Sequence, residues 1–355
     1  GLSVKIFAKF LVVSLFLVCV IGLVGGVWGF LTLQRALHQP LQLTEPSTLV
    51  VEAGSTPGRV FARLEQQGVL EGAGWLRRYW QWQMKGAVLH VGEYALQPEM
   101  TAAELLHMME RGEVVQRTLT LVEGWNFNQV RQALRAAEHL EQTLSPDLSD
   151  AEVMAALGYE GEHPEGRFFP DTYQYTLGMS DRDILQRAHE RMAQVLAEVW
   201  AERDEGLPIK SAYEALILAS IVEKETGVPS ERAEIAGVFT RRLRIGMRLQ
   251  TDPTVIYGLG TDYQGNIRRR HLQQATPYNT YVIDGLPPTP IAMPGRDAIE
   301  AAAHPADGKS LYFVARGDGS HVFSNTLAEH NRAVRAFQLK RRSDYRSSPA
   351  PESAQ

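Results

Sequence analysis

The first pattern along the chain is a long apolar segment near its N-terminus. No charged side chain occurs between Phe10 and Leu33, and these 24 residues exceed the ~20 that span the core of a bilayer. A cleaved signal peptide is the competing interpretation, but its apolar core is usually only about 7–15 residues long. The pattern therefore favours a retained single-pass transmembrane helix over residues 10–33.

Charges on either side of this segment predict its orientation. Lys5 and Lys9 precede the apolar run, and Arg35 follows it. Because positive residues are retained on the cytoplasmic side, residues 1–9 are predicted to be cytoplasmic and the remainder exported.

Beyond the span, short apolar runs alternate with helical patterns. Residues 34–47 are polar, contain two prolines and predict a linker. Strand–turn–helix patterns then begin at residues 49–51, 92–96 and 119–122. In the second, Thr101 and Glu104 have the spacing of a capping box. Units of this kind cannot bury their apolar faces alone, so we expect the three to pack together as a small α+β scaffold.

An aromatic group lies between the first two of these units. Such rings can stack on sugars, although they more often fill a core. The group consists of Trp75, Tyr79, Trp80 and Trp82. From about residue 164 the sequence becomes rich in helices, and residues 340–355 are polar and rich in Ser and Pro, which predicts a disordered tail.

Composition narrows the classes of function. The net charge is −5, with both signs interspersed, so a nucleic-acid partner is not expected. The single cysteine, Cys19, lies in the apolar run, which excludes a disulfide within the exported part. His304, His321 and His330 fall on separate predicted elements, so neither a metal site nor a cofactor is predicted.

One helical segment carries a candidate catalytic carboxylate. Residues 212–226 form a largely apolar run that Gly227 is expected to end. Glu225 continues the stripe of Leu218 and Ile221, whereas Glu223 is rotated about 200° away. Burial and the negative end of the helix dipole would both raise the pKa of Glu225, so that it could protonate a leaving group. The helix alone favours the alternative of a solvated carboxylate paired with Lys224.

Two later segments, residues 247–258 and 276–290, supply polar loops. Asp252 before Pro253 predicts a helix N-cap. Amides, hydroxyls and tyrosine rings on such loops suit a sugar chain, although they also suit an ordinary structured loop. The candidate substrate contacts are Glu223, Gln250, Thr251, Asp252, Tyr257, Tyr278, Asn279, Thr280 and Tyr281.

Several stretches of the chain resemble the endolytic murein transglycosylase family, also called MltG or YceG-like. They cover residues 165–173, 219–226, 241–258, 278–288, 301–305, 311–314 and 330–331. The resemblance implies an α+β protein with an N-terminal transmembrane helix, a small LysM-like domain (48–117) and a mixed helical and β transglycosylase domain (118–339). It also implies that Glu225, the second glutamate of Glu-Lys-Glu-Thr, is catalytic.

The resemblance further implies the chemistry and its setting. Glu225 would protonate the oxygen joining MurNAc to GlcNAc and then accept a proton from the C6 hydroxyl, leaving a 1,6-anhydro-MurNAc end. The substrate would be peptidoglycan glycan strands, and penicillin-binding proteins of the elongation machinery would be partners. The protein would be held in the cytoplasmic membrane with its catalytic domain in the periplasm. A basic cluster, mainly expected to complement a helix C-terminus, could also face anionic peptide stems. It consists of Arg241, Arg242, Arg244 and Arg248.

Two alternatives remain open from the sequence. A hydrolytic muramidase would need a second carboxylate, for which Asp252, Asp171 and Glu223 are candidates. A non-catalytic scaffold that binds the wall and recruits synthases would need none.

Overall fold

The computed structural model describes residues 2–338, without the side chains of residues 2–5 and 8. The predicted tail at 340–355 lies outside the described residues. The chain divides into two compact units. The first comprises residues 1–117 with 176–178, and the second comprises residues 118–175 and 179–355.

The first unit begins with one long helix, α1 (Leu2–His38). Its stretch Lys9–His38 is long and apolar enough to cross a membrane. The most apolar 18 residues of this stretch are not buried inside the protein. The helix runs five residues into the predicted linker, where Leu37 is already buried. Leu41 is buried too, and its N–H donates to the carbonyl of Met100 at 2.8 Å. The predicted linker over 34–47 is therefore polar only in part, because its apolar side chains Leu37 and Leu41 pack in the core of the first unit.

The rest of the first unit is a two-stranded sheet with three helices. Strand β1 (Ser47–Val51) pairs antiparallel with β2 (Gly92–Leu96), and Leu49 lies opposite Tyr94. Between the strands lie α2 (Pro57–Gln66) and α3 (Ala73–Gln83), and α4 (Ala102–Arg111) follows. The predicted capping box of α4 is confirmed, since Thr101 and Glu104 bond each other's backbone N–H groups.

The aromatic group on α3 has mainly packing roles. Trp80 is buried and lies 6.3 Å from the ring of Phe61, while Trp75 meets Trp28 of α1 at 6.0 Å. Only Trp82 is strongly exposed among these rings, at 77%. The structure therefore uses most of the group to fill the core of the first unit.

The second unit contains nine described helices and two sheets of two strands each: β3 pairs with β4, and β5 pairs antiparallel with β6. Its strands are β3 (Arg117–Thr120), β4 (Thr172–Tyr175), β5 (Tyr312–Ala315) and β6 (His321–Ser324). Its helices are α5 (Phe127–Ala136), α6 (Asp150–Leu157), α7 (Asp181–Ala201), α8 (Ala212–Glu225), α9 (Arg232–Arg244), α10 (Asp252–Leu259), α11 (Arg269–Gln273), α12 (Arg296–Ala303) and α13 (Leu327–Phe337).

The third predicted strand–turn–helix unit belongs to this second part of the chain. Strand β3 pairs with β4, and α5 buries Val130 and Leu134 in a core that includes Phe168. Strand β3 finds its partner strand some fifty residues later rather than in β1 or β2, so the three predicted copies do not share one sheet.

Helix α8 lies at the centre of the main core of the second unit. It packs against α7, α9, α10 and α12, and residues 215–222 are all buried. Because the helix is buried on every side over this stretch, its polar groups reach solvent only at its two ends.

Candidate active site

A cleft of about 960 Å³ opens at the C-terminal end of α8. Its walls come from the end of α8, the start of α10, the turn before α5, hairpin β5–β6 and α13. The carboxylates in its lining are Glu123, Glu223, Glu225 and Asp252, and the other polar or aromatic side chains include Arg242, Gln250, Thr251, Tyr281, Tyr312, His321 and His330.

Glu225 is the last residue of α8 and faces this cleft. The helix ends because Thr226 takes an extended conformation with φ −141°, one residue before the predicted stop at Gly227. Glu225 is half-buried, and the Thr251 hydroxyl donates to its Oε1. Burial raises the pKa of Glu225 to about 7, and this outweighs the opposing hydrogen bond from Thr251. The raised pKa predicted from the sequence is confirmed, and the carboxyl can hold a proton near neutral pH.

The side chain of Thr251 bonds Glu225 and does not cap a helix. Thr251 occupies the N-cap position of α10, yet its side chain makes no capping hydrogen bond. Its own N–H is held by Thr280 Oγ1 at 3.0 Å. The prediction that Asp252 is the N-cap is wrong. Asp252 is the first helical residue instead, and its carboxylate accepts a hydrogen bond from the Tyr281 hydroxyl at 2.6 Å.

The residue before Thr251 has an unusual backbone. Gln250 has a φ of 50°, in the left-handed region that glycine favours. Its N–H donates to the carbonyl of Thr280 at 3.1 Å, and its exposed side chain lines the cleft. Strain of this kind persists where the surroundings impose it and concentrates at functional sites.

Glu223 and Lys224 point away from the Glu225–Thr251 contact. The side chain of Glu223 is only 7% exposed and accepts a hydrogen bond from the N–H of Gly295 at 3.0 Å. Lys224 donates to the carbonyl of Gly124 at 3.2 Å rather than pairing with a neighbouring carboxylate. Because α8 is buried all round, its helical periodicity does not separate the two glutamates. Both are withdrawn from bulk water, and the pKa of Glu223 is also raised by burial.

Four predicted substrate contacts do not line the cleft. Asn279 and Thr280 are fully buried. The Asn279 amide donates to three backbone carbonyls, and the Thr280 hydroxyl bonds Thr254 at 2.8 Å. Tyr278 bonds Thr289 and Tyr257 bonds Glu165. These four side chains bond other parts of the protein and stabilise the loops next to the cleft. They do not reach the cleft, so they are not placed to contact a ligand.

The predicted arginine cluster is dispersed. Arg241 donates to backbone carbonyls of Ser310 and Ala306, Arg244 donates to a backbone carbonyl, and Arg248 pairs with an exposed carboxylate. Only Arg242 of the four lies in the cleft lining.

The sequence did not indicate that hairpin β5–β6 and α13 belong to the site. Tyr312, His321 and His330 line the same cleft, so the two histidines are not scattered as predicted. His321 Nδ1 lies 2.7 Å from a carboxylate oxygen of Glu231, which fixes its ring. The one sequence signal for these residues is that 311–314 and 330–331 belong to the stretches that resemble the family. Within residues 2–338, no group of three or more His, Cys, Asp or Glu side chains could hold a metal ion.

Comparison with known proteins places the chain in a family. The model of the YceG-like family matches residues 49–336, which extend through most of both units and include all of the cleft lining except Gln338. The chain belongs to the YceG-like family. A crystal structure at 2.6 Å of a YceG-like protein from Listeria monocytogenes is 29% identical, with a TM-score of 0.53. The match covers 82% of this chain and 99% of that one.

Two bacterial relatives carry the name endolytic murein transglycosylase. The relative from Bacillus subtilis strain 168 is 27% identical over 334 residues, covering 89% of this chain and 91% of the relative. The relative from Streptococcus pneumoniae strain D39 is 26% identical over 347 residues. That alignment covers 87% of this chain and 62% of the longer pneumococcal protein.

Proposed function

We propose that this protein is an endolytic murein transglycosylase with Glu225 as its single acid and base. It cuts the MurNAc–GlcNAc linkage within peptidoglycan glycan strands and leaves 1,6-anhydro-MurNAc ends. The relatives named for this activity align over most of the chain. The observation that carries the assignment is a carboxyl facing a 960 Å³ cleft with its pKa raised to about 7.

The proposed reaction uses the two protonation states of Glu225 in turn. The protonated carboxyl donates to the glycosidic oxygen as the bond to C1 of MurNAc breaks. The resulting carboxylate then accepts the proton of the C6 hydroxyl while that oxygen attacks C1. The proton count of Glu225 is restored, and no water is consumed. The Thr251 hydroxyl orients the carboxyl and stabilises it while it is charged.

The other carboxylates fit a single-carboxylate mechanism better than hydrolysis. A hydrolytic muramidase needs a second carboxylate free to activate water or to act as a nucleophile. Glu223 is bonded to Gly295, Asp252 accepts from Tyr281, and Glu123 lies 4.0 Å from Arg232. Asp171 is absent from the cleft lining. Hydrolysis is therefore the less favoured chemistry for this cleft.

The first unit supports a proposal about location. Helix α1 has the length and composition of a single membrane anchor, and the lysines before it favour a cytoplasmic N-terminus. The catalytic unit would then work in the periplasm on strands emerging at the membrane, with penicillin-binding proteins of the elongation machinery as partners. The order β1–α2–α3–β2 with antiparallel strands supports a LysM-like assignment for the region after the anchor.

Analysis of the products tests the proposed activity. The full chain in detergent micelles is incubated with purified glycan strands, and the fragments are examined by mass spectrometry before and after borohydride reduction. We expect anhydro ends that resist reduction, and no such ends from Glu225→Gln. Reducible ends would establish a muramidase instead. Unchanged strands, together with a normal cellular phenotype for Glu225→Gln, would establish a non-catalytic scaffold.

A further inference from the structure

The cleft lining contains a cationic part as well as its carboxylates. Arg242 on α9, Tyr312 on β5 and His330 on α13 all contribute to the lining. The proposed chemistry at Glu225 does not use these three side chains. Their arrangement, however, has the chemistry of an anion-binding site.

Arg242 is a buried cation with no carboxylate of the described residues in direct contact, and it acts on Glu225 only through its charge. Its exposed fraction is 6%, its Nε donates to the carbonyl of Leu311 at 2.7 Å, and its Nη1 donates to the carbonyl of Leu249. In the part of the chain that the structure describes, no carboxylate oxygen lies within 4.0 Å of its guanidinium. Two carbonyl dipoles compensate a buried positive charge only partly, so an anion entering here would be attracted.

His330 is the second group without a partner. Neither of its ring nitrogens has a hydrogen-bond partner among residues 2–338, and Nδ1 is shielded from solvent. Burial and the nearby charge of Arg242 lower the pKa of His330, which keeps the ring neutral with one N–H to donate. The other ring nitrogen, Nε2, is not enclosed in this way, so it is the one that a group entering the cleft can reach.

Tyr312 brings the two groups together. Its ring stacks on His330 with centroids 5.2 Å apart and an interplanar angle of 25°. The guanidinium carbon of Arg242 lies 5.3 Å from the centroid of the same ring. Both nitrogen-bearing groups are therefore fixed against one aromatic ring. Beside them, Leu327 and Val334 provide apolar lining that suits a small aliphatic side chain.

We propose that Arg242 and His330, aligned by Tyr312, form a subsite for a carboxylate of the stem peptide on the strand being cut. This inference rests on the proposed function, because stem peptides are carried by MurNAc in peptidoglycan. The lactyl-linked peptide supplies the carboxylates, and its alanine methyl groups match Leu327 and Val334. The protein would therefore select peptide-bearing strands over bare glycan.

Binding to an inactive variant tests this subsite without requiring turnover. The full-length Glu225→Gln protein in detergent micelles is titrated with three probes: strands with stem peptides, the same strands stripped by an amidase, and strands whose peptide carboxylates have been amidated. We expect about tenfold tighter binding of the first probe than of the other two, corresponding to about 1.4 kcal/mol. Adding His330→Phe, which keeps a ring against Tyr312 but removes both nitrogens, should reduce this preference to about threefold or less.

Matched variants separate a local role from a general one. Arg332→Met removes an exposed charge from the same helix and should retain the preference, whereas Arg242→Lys should weaken it while keeping a positive charge. Equal affinity for all three probes, or an equal loss for every probe in His330→Phe, would overturn the inference. Neither result bears on the products of the wild-type enzyme, so failure of the subsite remains distinguishable from failure of the proposed function.

Discussion

Two glutamates in the second unit, one buried and one half-buried, have similarly raised pKa values but opposite surroundings. Burial raises the pKa of Glu165 and of Glu225 to about 7. Glu165 lies at the N-terminus of α5, where the N–H of Phe127 donates to it at 3.0 Å, and only 3% of it is exposed. Glu225 lies at the C-terminus of α8 and lines the cleft.

The comparison shows that a raised pKa does not by itself identify a catalytic acid. The positive end of a helix dipole and two or more donors favour the charged form of Glu165, although desolvation opposes them. Such a group closes a buried hydrogen-bond network. At Glu225 the dipole opposes the charge, and the carboxyl has an opening through which a substrate can reach it. Access to the cleft, more than the pKa, distinguishes the two roles.

Glu225→Gln should give the largest effect and the sharpest contrast. The amide can neither donate the acidic proton nor accept one, so the rate of anhydro-end formation should fall about 10³-fold. The melting temperature should stay within a few degrees, because the isosteric amide can still bond Thr251. Product release followed by mass spectrometry, with thermal unfolding in parallel, checks both. Retention of more than about a tenth of the activity would contradict the catalytic assignment.

The pH dependence of stability should reveal both glutamates. The ordinary pKa of a glutamate is 4.5, and in the folded protein the pKa of these two is about 7, so the folded state binds more protons between these limits. The free energy of unfolding should therefore be highest below about pH 4.5 for these two groups and fall as the pH rises through 7. A fully buried group with this shift lowers the free energy of unfolding by about 3 kcal/mol between these limits, and the half-buried Glu225 lowers it by less. Denaturant unfolding at pH 5 and 8 measures this loss, and Glu225→Gln should reduce it. An identical pH dependence in wild type and variant would refute the shift at Glu225.

Glu165→Ala should lower stability and leave the rate nearly unchanged, which is the opposite of the result expected for Glu225→Gln. It leaves the N–H of Phe127 and the Tyr257 hydroxyl without their acceptor, which should cost about 2 kcal/mol of stability. The rate, measured well below the melting temperature, should change by less than about threefold because Glu165 does not line the cleft. Glu160→Ala, at an exposed position nearby, is the control and should change neither quantity. A large loss of rate with stability intact would assign Glu165 a direct part in catalysis.

Thr251→Val should give the smallest of these effects. Loss of the hydroxyl removes a hydrogen bond that lowers the pKa of Glu225, so the alkaline limb of the pH–rate profile should move to higher pH. The rate at the optimum should fall about tenfold, since a hydrogen bond to a charged group is worth about 1.5–3 kcal/mol. Thr251→Ser keeps the hydroxyl and should stay close to wild type. An alkaline limb that moves to lower pH, or does not move, would show that the contact does not tune Glu225.

The elements that depend on neighbouring residues could be predicted from the sequence. The capping box at Thr101 and the position of Glu225 at the end of α8 both follow from spacings of a few residues. The contact between Glu225 and Thr251 joins residues 26 positions apart, and it depends on how the strained loop at Gln250 places the start of α10. No local pattern carries that information.

Longer-range errors have a shared cause. Asn279 and Thr280 have the residue types of a sugar-binding loop, yet their side chains bond the backbone and hydroxyls of that loop. A polar side chain can hydrogen-bond the backbone of its own buried loop as readily as it can bond a ligand. Composition cannot distinguish these two roles. Conversely, His330 reaches the cleft only because hairpin β5–β6 and α13 pack together. Its place in the site is set by tertiary packing.

With α1 as a membrane anchor, its unbroken passage into the core of the first unit would limit how far that unit can move from the bilayer. A flexible tether lets a domain explore a distance that grows with the square root of its length, whereas here Leu37 and Leu41 are buried almost as soon as the apolar stretch ends. With α1 as the anchor, the first unit would be confined to a thin layer next to the lipid headgroups. Inserting a Gly-Ser spacer at this point would extend the working height of the enzyme without altering a single residue of its cleft.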